Sequence, residues 1–216
     1  MRIVKVASYT VGPLQENCYL VVDEASGDAV LVDPGEEGAR LVGAVRESGA
    51  TLRAIWLTHA HFDHVGAVAE VLRAWPVPVH LHPADEPLYE RAARSAASYG
   101  LTLEPPPPAD VAIGEGEQLT VGSLVFDVLH VPGHSPGHVA FVGHGVAFGG
   151  DCLFAGSVGR TDLPLSDPRQ LATSLGRLTA LPPQTVVYPG HGPATTIGAE
   201  LESNPFLNGS LRLVRG

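Results

Sequence analysis

The stretch THAHFDH, residues 58–64, constrains this chain most, because it places three histidines and one aspartate within seven positions. A hydrophobic core does not favour such a string, since each buried imidazole nitrogen needs a polar partner. An H-x-H-x-D-H string arises by chance in about one chain of this size in a thousand. We therefore predict that the stretch binds metal through His59, His61, Asp63 and His64.

The overall composition limits the partners that such a site can have. The formal net charge is −10, which disfavours nucleic acid as a partner, since nucleic-acid binding depends on a basic surface. No stretch is apolar over the length needed to cross a bilayer, and the start of the chain lacks the apolar core of a signal peptide. The two cysteines, Cys18 and Cys152, are too few for a disulfide framework. We expect a cytoplasmic protein that acts on a small molecule, and the sequence leaves its oligomeric state open.

The pattern of apolar residues predicts a mixed α/β fold. The β-rich runs RIVKVAS, NCYLVVD and AVLVDPG precede a helix over about residues 36–48, where Leu41, Val42 and Val45 form an apolar stripe. Further strands are expected at AIWLT, PVPVHLHP, EQLTVG, SLVFDVLHVPG, HVAFVG, VAFGGD and TVVYPGH. Further helices are expected over about residues 64–75, 84–100 and 167–180, and from about residue 196.

This order of elements suggests two halves, each a sheet with helices outside. Packed sheet to sheet, the halves form a four-layer αββα sandwich. The proline-rich stretch EPPPP, residues 104–108, is interpreted as an extended surface connection. Because residues of the metal-binding type lie on both sides of it, we predict one domain over residues 1–216.

More residues of the metal-binding type follow predicted strands further along the chain. VPGHSPGH contains His134, AFGGD ends in Asp151, and VVYPGH ends in His191. Strand ends that face one way are where the sites of α/β proteins are commonly built. Imidazole and carboxylate without thiolate suit zinc, iron or manganese. Four ligands from one loop are more than one tetrahedral zinc uses while leaving room for others, so the spacing predicts a second metal ion.

Together, THAHFDH, PGHSPGH, GGDCLF and YPGH resemble the metallo-β-lactamase superfamily, and most closely its glyoxalase II-like hydrolases. The resemblance covers nearly the whole chain and implies two divalent metal ions, zinc first, with iron or manganese as the other choices. It implies that one ion is held by His59, His61 and His134, that a second is held by Asp63, His64 and His191, and that Asp151 bridges both.

The charges of that arrangement suit a hydrolase. Two divalent ions, less the charges of Asp63, Asp151 and one bridging hydroxide, leave about one positive charge to stabilise a developing oxyanion. A water shared by two cations has a strongly lowered pKa, so hydroxide is available near neutral pH to attack a carbonyl carbon. A thiolate leaving group needs little protonation. We therefore expect thioester hydrolysis, with Asp63 and Asp151 as catalytic residues.

The resemblance to full-length glyoxalase II is incomplete where substrate would bind. That enzyme has a helical C-terminal domain that grips glutathione, whereas only a short segment follows His191 here, so the sequence resembles a short form. In glyoxalase II, a basic and an aromatic residue follow the GDxLF stretch. The corresponding sequence in this chain is FAGSVGRTDLP. Arg160 can take the basic role, while Thr161 and Asp162 replace the aromatic residue. We predict that Arg160 contacts an anionic part of the substrate, and we leave glutathione itself open.

Three alternatives to a thioester hydrolase are weighed against this motif set. The GRTD stretch also resembles persulfide dioxygenases, in which His59, His134 and Asp151 would hold a single iron. A nuclease is disfavoured by the acidic balance of the chain. A non-catalytic metal-binding module is expected to have lost Asp151 or His191, and both are present.

Neighbouring polar residues are assigned supporting roles. His138 is expected to pack behind the metal-binding histidines rather than bind metal, and Cys152 is expected to be buried. Asp33 in LVDPG is either a turn residue or, by the resemblance, a support for a metal-binding histidine. His80 and His82 are expected to have structural roles, His130 to be buried with a hydrogen-bond partner, and His144 to be solvated.

Overall fold

The computed structural model describes residues 4–211 of the chain. Its first sheet consists of β1 Lys5–Val11, β2 Glu16–Asp23, β3 Asp28–Val32, β4 Thr51–Trp56, β5 Val79–Leu81 and β6 Val111–Ala112. These strands are neighbours in sequence order. β1, β2 and β3 pair antiparallel, and β3 to β6 pair parallel. The predicted first strand begins at residue 2, and its residues 2 and 3 lie outside the described residues.

The second sheet is built from the later part of the chain. It contains β7 Gln118–Val121, β8 Leu124–His130, β9 Val139–Gly143, β10 Val146–Gly150, β13 Val186–Pro189 and β14 Thr195–Thr196. Its order is β14-β13-β10-β9-β8-β7, in which β10 and β13 are parallel and the other neighbours antiparallel. A small hairpin, β11 Leu153–Phe154 and β12 Ser157–Val158, follows β10.

Seven helices flank the sheets in the described part of the chain. They are α1 Gly38–Ser48, α2 Phe62–Val65, α3 Val68–Ala74, α4 Glu86–Tyr89, α5 Ala92–Ser98, α6 Pro168–Leu178 and α7 Ile197–Ser203. The start of α6 is set locally, because the Asp167 carboxylate accepts from the amides of Arg169 and Gln170 while Pro168 occupies the first turn. Among the described residues, no helix is both long enough and apolar enough to span a membrane.

Three buried apolar clusters separate four layers. One cluster joins the outer face of the first sheet to α1, α3 and α5, and includes Leu31, Ile55, Leu41 and Val68. A second fills the space between the sheets, with side chains from both of them, such as Trp56 and Phe126. The third joins the second sheet to α6 and α7. The predicted αββα sandwich is therefore confirmed, and its sheets form the two inner layers.

Two predicted helices are divided into shorter pieces. The helix predicted over residues 64–75 is α2 followed by α3, because the amide of Ala67 donates to the carbonyl of Pro34 at 3.0 Å instead of continuing the helix. Gly66 lies so close to Gly35 that an added Cβ would be 2.3 Å from the Gly35 carbonyl oxygen. The helix predicted over residues 84–100 is a 3-10 turn, Pro83–Asp85, followed by α4 and α5. The short strands β6, β11, β12 and β14 were not predicted.

Candidate metal centre

The ends of four strands bring the predicted metal-binding residues to one edge of the sandwich. β8, β10 and β13 point the same way, since β8 and β10 are each antiparallel to β9 and β13 is parallel to β10. β4 of the other sheet reaches the same edge, where the amide of Val139 donates to the carbonyl of Thr58 at 2.8 Å. A second link across the sheets runs from the amide of Asn17 to the carbonyl of Gly190, at 2.7 Å.

The structure places six of the seven residues in two compact sets. In the first set, ligand atoms of His59, His61 and His134 lie within 4.8 Å of one another. In the second set, those of Asp63, His64 and His191 do the same. These are the two sets that the resemblance implied, and each offers three donor atoms.

Asp151 lies between the two sets. Its Oδ2 is 3.4 Å from His134 Nε2, while its Oδ1 is 3.4 Å from His64 Nε2. His191 Nε2 is 3.6 Å from Asp151 Oδ2 and 3.3 Å from Asp63 Oδ2. One carboxylate therefore contacts a histidine of each set, which is the geometry that a bridging ligand needs.

Oxygen acceptors fix the orientation of four of the five histidines. An imidazole whose Nδ1 donates to an oxygen presents Nε2 as a ligand atom. The acceptors are Thr58 Oγ1 for His59 (3.1 Å), Asp33 Oδ2 for His64 (3.1 Å), the Arg160 carbonyl for His134 (2.9 Å) and the Leu14 carbonyl for His191 (3.1 Å). His61 presents the other nitrogen, since its Nδ1 faces His134 Nε2 at 2.8 Å.

Unpaired polar atoms show that these residues fit a metal ion. His59 Nε2, His64 Nε2 and Asp151 Oδ1 are buried and have no hydrogen-bond partner among the described residues. Buried polar groups are normally paired, so an unpaired cluster of ligand atoms calls for an explanation. Nitrogen and carboxylate oxygen donors at these positions are the ligands that zinc, iron and manganese take.

The electrostatics of the cluster favour a positive charge at its centre. Burial opposes protonation of His64, but the carboxylates of Asp151 and Asp63 outweigh it and raise its pKa well above the usual value. Burial raises the pKa of both carboxyls, but the neighbouring histidines, His64 foremost, together outweigh it, so both pKa values are lowered. Burial also lowers the pKa of His59 well below its usual value and that of His61 to about 3, which keeps both rings in the neutral form that binds metal.

Two acidic residues lie behind His64. Asp33 accepts from the Thr58 amide at 2.7 Å and from Thr58 Oγ1 at 2.6 Å, besides its bond to His64. Asp33 was expected to be either a turn residue or a support for a metal-binding histidine, and the structure places it in contact with His64. Glu16, which sequence reasoning missed, is 1% exposed and lies 3.6 Å from His64 Nδ1. It directly precedes the predicted strand NCYLVVD, next to a turn, and this position gave no sign that it is buried.

Asp85 is a second residue that sequence reasoning missed. It is fully buried, and its carboxylate accepts from the amide of Ala60 (3.0 Å), the hydroxyl of Ser135 (2.7 Å) and the amide of Gly137 (2.5 Å). Ala60 belongs to the loop of the first three histidines, and Ser135 and Gly137 follow His134 in its loop. Asp85 therefore ties together two loops that carry the metal-type residues.

The remaining histidines lie outside the two sets. His138 packs behind them, as expected, because its Nε2 accepts from the Asp151 amide at 3.0 Å and its ring stacks on His59 with centroids 4.8 Å apart. His82 and His130 stack on each other with centroids 4.4 Å apart. His144 is half-buried rather than fully solvated, and its Nε2 accepts from the Val125 amide at 3.0 Å. Cys152 is buried, as predicted.

A cavity of about 550 Å³ opens above the cluster. Its floor carries both predicted catalytic carboxylates, Asp63 and Asp151, and apolar walls come from Leu14, Tyr99 and Phe154 among others. Arg160 lines the cavity, as its predicted role requires. Its guanidinium also binds Asp162, with Nε 2.6 Å from Oδ1 and Nη2 2.8 Å from Oδ2.

Comparison with known protein families identifies the family of this chain. A sequence profile of the Metallo-beta-lactamase superfamily matches residues 11–191, a range that includes all seven side chains. The chain belongs to the metallo-β-lactamase superfamily.

Relatives within the metallo-β-lactamase superfamily include a named hydrolase and two solved structures. The hydroxyacylglutathione hydrolase GloC of Haemophilus influenzae is 39% identical over 203 residues, which cover 92% of this chain and 95% of GloC. The solved structure of TTHA1623 in a di-iron-bound form is 52% identical, with a TM-score of 0.88, over 94% of this chain and 100% of that chain. ETHE1 from Myxococcus xanthus is 30% identical, with a TM-score of 0.80, over 95% of this chain and 85% of that chain. The hydrolase-named relatives support a metal-dependent hydrolase.

Proposed function

We propose that this protein is a dinuclear metal-dependent hydrolase that cleaves thioesters. The observation that carries the proposal is the pair of three-residue ligand sets with Asp151 between them. The similarity to GloC supports a small thioester as the substrate, with glutathione as one choice for its thiol half. The di-iron form of TTHA1623 supports two ions in a cluster of this kind.

In this proposal every member of the cluster has an assigned role. His59, His61 and His134 hold one divalent ion, and Asp63, His64 and His191 hold the other. Asp151 bridges the two, which accounts for its contacts with a histidine of each set. Zinc is the expected metal, and the same donors also suit iron or manganese.

The chain's own residues position the reacting groups. When bound, the two ions supply a lowered pKa for a water molecule and polarisation of a carbonyl group. Asp63 faces the cavity with its side chain 13% exposed. We assign it the role of accepting the proton of the attacking water. The apolar walls exclude bulk water from the scissile bond, and Arg160 contacts an anionic group of the substrate. The thiol leaves as the thiolate, which needs little help because thiol pKa values lie near about 8.5.

The test combines metal analysis with a thioester assay on protein purified without added metal or chelator. We expect about two ions per chain, about one in Asp63→Ala, and loss of both ions and of activity in Asp151→Ala. Asp127→Ala, which removes an exposed carboxylate elsewhere in the structure, is the matched control and should keep two ions. Full metal content in Asp151→Ala would contradict the bridging role.

A second candidate, a mononuclear iron persulfide dioxygenase, is supported by the similarity to ETHE1 and by the GRTD stretch at Gly159–Asp162. In that case His59, His134 and Asp151 hold one iron, and Asp63 is not a ligand. The change in metal content on Asp63→Ala separates the candidates, because the hydrolase falls from about two ions to about one whereas the dioxygenase has one iron in both proteins. The wild-type dioxygenase also consumes oxygen with a persulfide substrate and leaves thioesters intact.

A further inference from the structure

A second cavity of about 360 Å³ adjoins the one above the metal-type cluster. The two cavities share a wall of six residues, which makes them neighbours. The shared residues are His61, Phe62, Leu88, Ser95, Ser98 and Pro164. The wall begins at a member of the first ligand set, His61, and continues along α5.

Two arginines, Arg91 and Arg94, line this adjoining cavity and are exposed. Glu90 precedes Arg94 by four positions, a spacing at which a helical ion pair commonly forms. Within residues 4–211, however, no ion pair involves either arginine. Both guanidinium groups therefore keep their hydrogen-bond donors available to a ligand in the cavity.

Arginine and lysine side chains without an ion pair are a minority among the described residues. The chain has a formal net charge of −10, so acidic partners are abundant. Most other described basic side chains are taken up in ion pairs. These pairs are Lys5–Glu24, Arg40–Glu37, Arg53–Asp28, Arg73–Glu104, Arg160–Asp162 and Arg177–Glu115. Two unpaired arginines beside one cavity thus form a local positive site on an acidic surface.

The arginine of the main cavity is less suited to hold an anion by itself. Asp162 already accepts from Nε and Nη2 of Arg160, so the paired face of that guanidinium is used. The main cavity is otherwise walled by apolar residues near His191, such as Leu14 and Phe154. An apolar acyl group fits that side, and a charged group of the substrate fits the side of Arg91 and Arg94.

We propose that Arg91 and Arg94 bind an anionic tail on the thiol half of the substrate. The inference rests on the proposed thioester hydrolysis, and it adds the chemical class of the leaving thiol. Arginine forms charge-assisted hydrogen bonds with both carboxylates and phosphates. Thiol carriers bear such groups away from the sulfur, as carboxylates in glutathione and phosphates in coenzyme A.

The kinetic test compares three thioesters of one acyl group, made with glutathione, coenzyme A and the uncharged thiol N-acetylcysteamine. The readout is the KM of a charged thioester divided by that of the uncharged one. An exposed ionic contact contributes roughly fivefold. We therefore expect this ratio to rise about fivefold in Arg91→Ala or Arg94→Ala and about 25-fold in the double variant, with kcat changing less than KM.

The matched control is Arg169→Ala. Arg169 is also exposed and forms no ion pair with another described residue, but it lines a different cavity, beside His130 and Arg177. The control loses the same charge and should leave the KM ratio unchanged. A rise confined to the glutathione thioester identifies carboxylates as the ligand, and a rise confined to the coenzyme A thioester identifies phosphates.

An equilibrium measurement separates this inference from the proposed function. Binding of free glutathione and free coenzyme A to the metal-loaded protein is measured by calorimetry, which needs no turnover. Weaker binding of either thiol to Arg91→Ala/Arg94→Ala than to Arg169→Ala supports the anion site, even if no thioester is hydrolysed. The inference is overturned if neither thiol binds the wild type, or if the double variant and the control bind both thiols equally well.

Discussion

Asp85 offers the sharpest test of how the ligand loops are held together. Its Oδ2 accepts from the Ala60 amide and the Ser135 hydroxyl, and its Oδ1 accepts from the Gly137 amide. In Asp85→Asn, the single amide oxygen can replace one of these two acceptors. The new NH₂ group must then face a donor. The Ser135 hydroxyl can rotate to avoid this, whereas the backbone N–H of Gly137 cannot.

The expected loss of stability follows from these bonds. A hydrogen bond to a charged group contributes about 1.5–3 kcal/mol, and part of that loss is offset because the variant no longer buries a charge. We expect Asp85→Asn to lower the free energy of unfolding by about 2 kcal/mol. Asp85→Ala leaves all three donors unpaired and should lower it by about 4 kcal/mol.

Urea unfolding of the metal-loaded protein and of the chelated protein measures the effect. The midpoint should fall at constant m-value, and Tm should fall by about 4–8 °C in Asp85→Asn. Asp127→Asn, in which the lost carboxylate is exposed and accepts from Gln118, is the control for the charge change. The reasoning is wrong if Asp85→Asn unfolds within about 0.5 kcal/mol of the wild type, the range of ordinary surface substitutions.

Two further predictions concern positions away from Asp85. An added Cβ at Gly190 would lie 2.1 Å from Asp151 Oδ1, so Gly190→Ala should displace that carboxylate. We expect the variant to bind less metal and to lose activity by about 100-fold. Gly176→Ala is the control, since nothing lies within 4 Å of its added Cβ, and normal metal content in Gly190→Ala would refute the crowding argument. Hydrogen bonds from Ser123, foremost from its amide, lower the pKa of Asp23 from 3.8 to about 2. The deprotonated carboxylate therefore stabilises the fold above about pH 4, and this contribution is lost as the pH falls towards 2. In urea, the gap in stability between wild type and Asp23→Asn should close over that range, and a gap independent of pH would contradict it.

Much of the site could be predicted because its signals are local in the sequence. One short stretch contains His59, His61, Asp63 and His64. The other predicted ligands each follow an apolar run that predicts a strand. Strand ends that face one way are where the sites of α/β proteins are commonly built, which predicted a shared site. The resemblance to the superfamily, and not the strand order, divided these residues into two ligand sets. The αββα layers were predictable from local signals too, since each strand and helix shows which of its faces is apolar.

The contacts that hold the site depended on the tertiary structure. Asp85 and Ser135 are 50 positions apart, and Asp23 and Ser123 are 100 apart, so no local pattern shows that these pairs meet. Backbone contacts between distant loops likewise divided the helix predicted over residues 64–75. The placement of the cavity beside Arg91 and Arg94 next to the one above the cluster also arises only when α5 packs against the loops that carry the predicted ligands. Sequence periodicity records which face of an element is buried, whereas the partner of a buried polar group is set by how the elements pack.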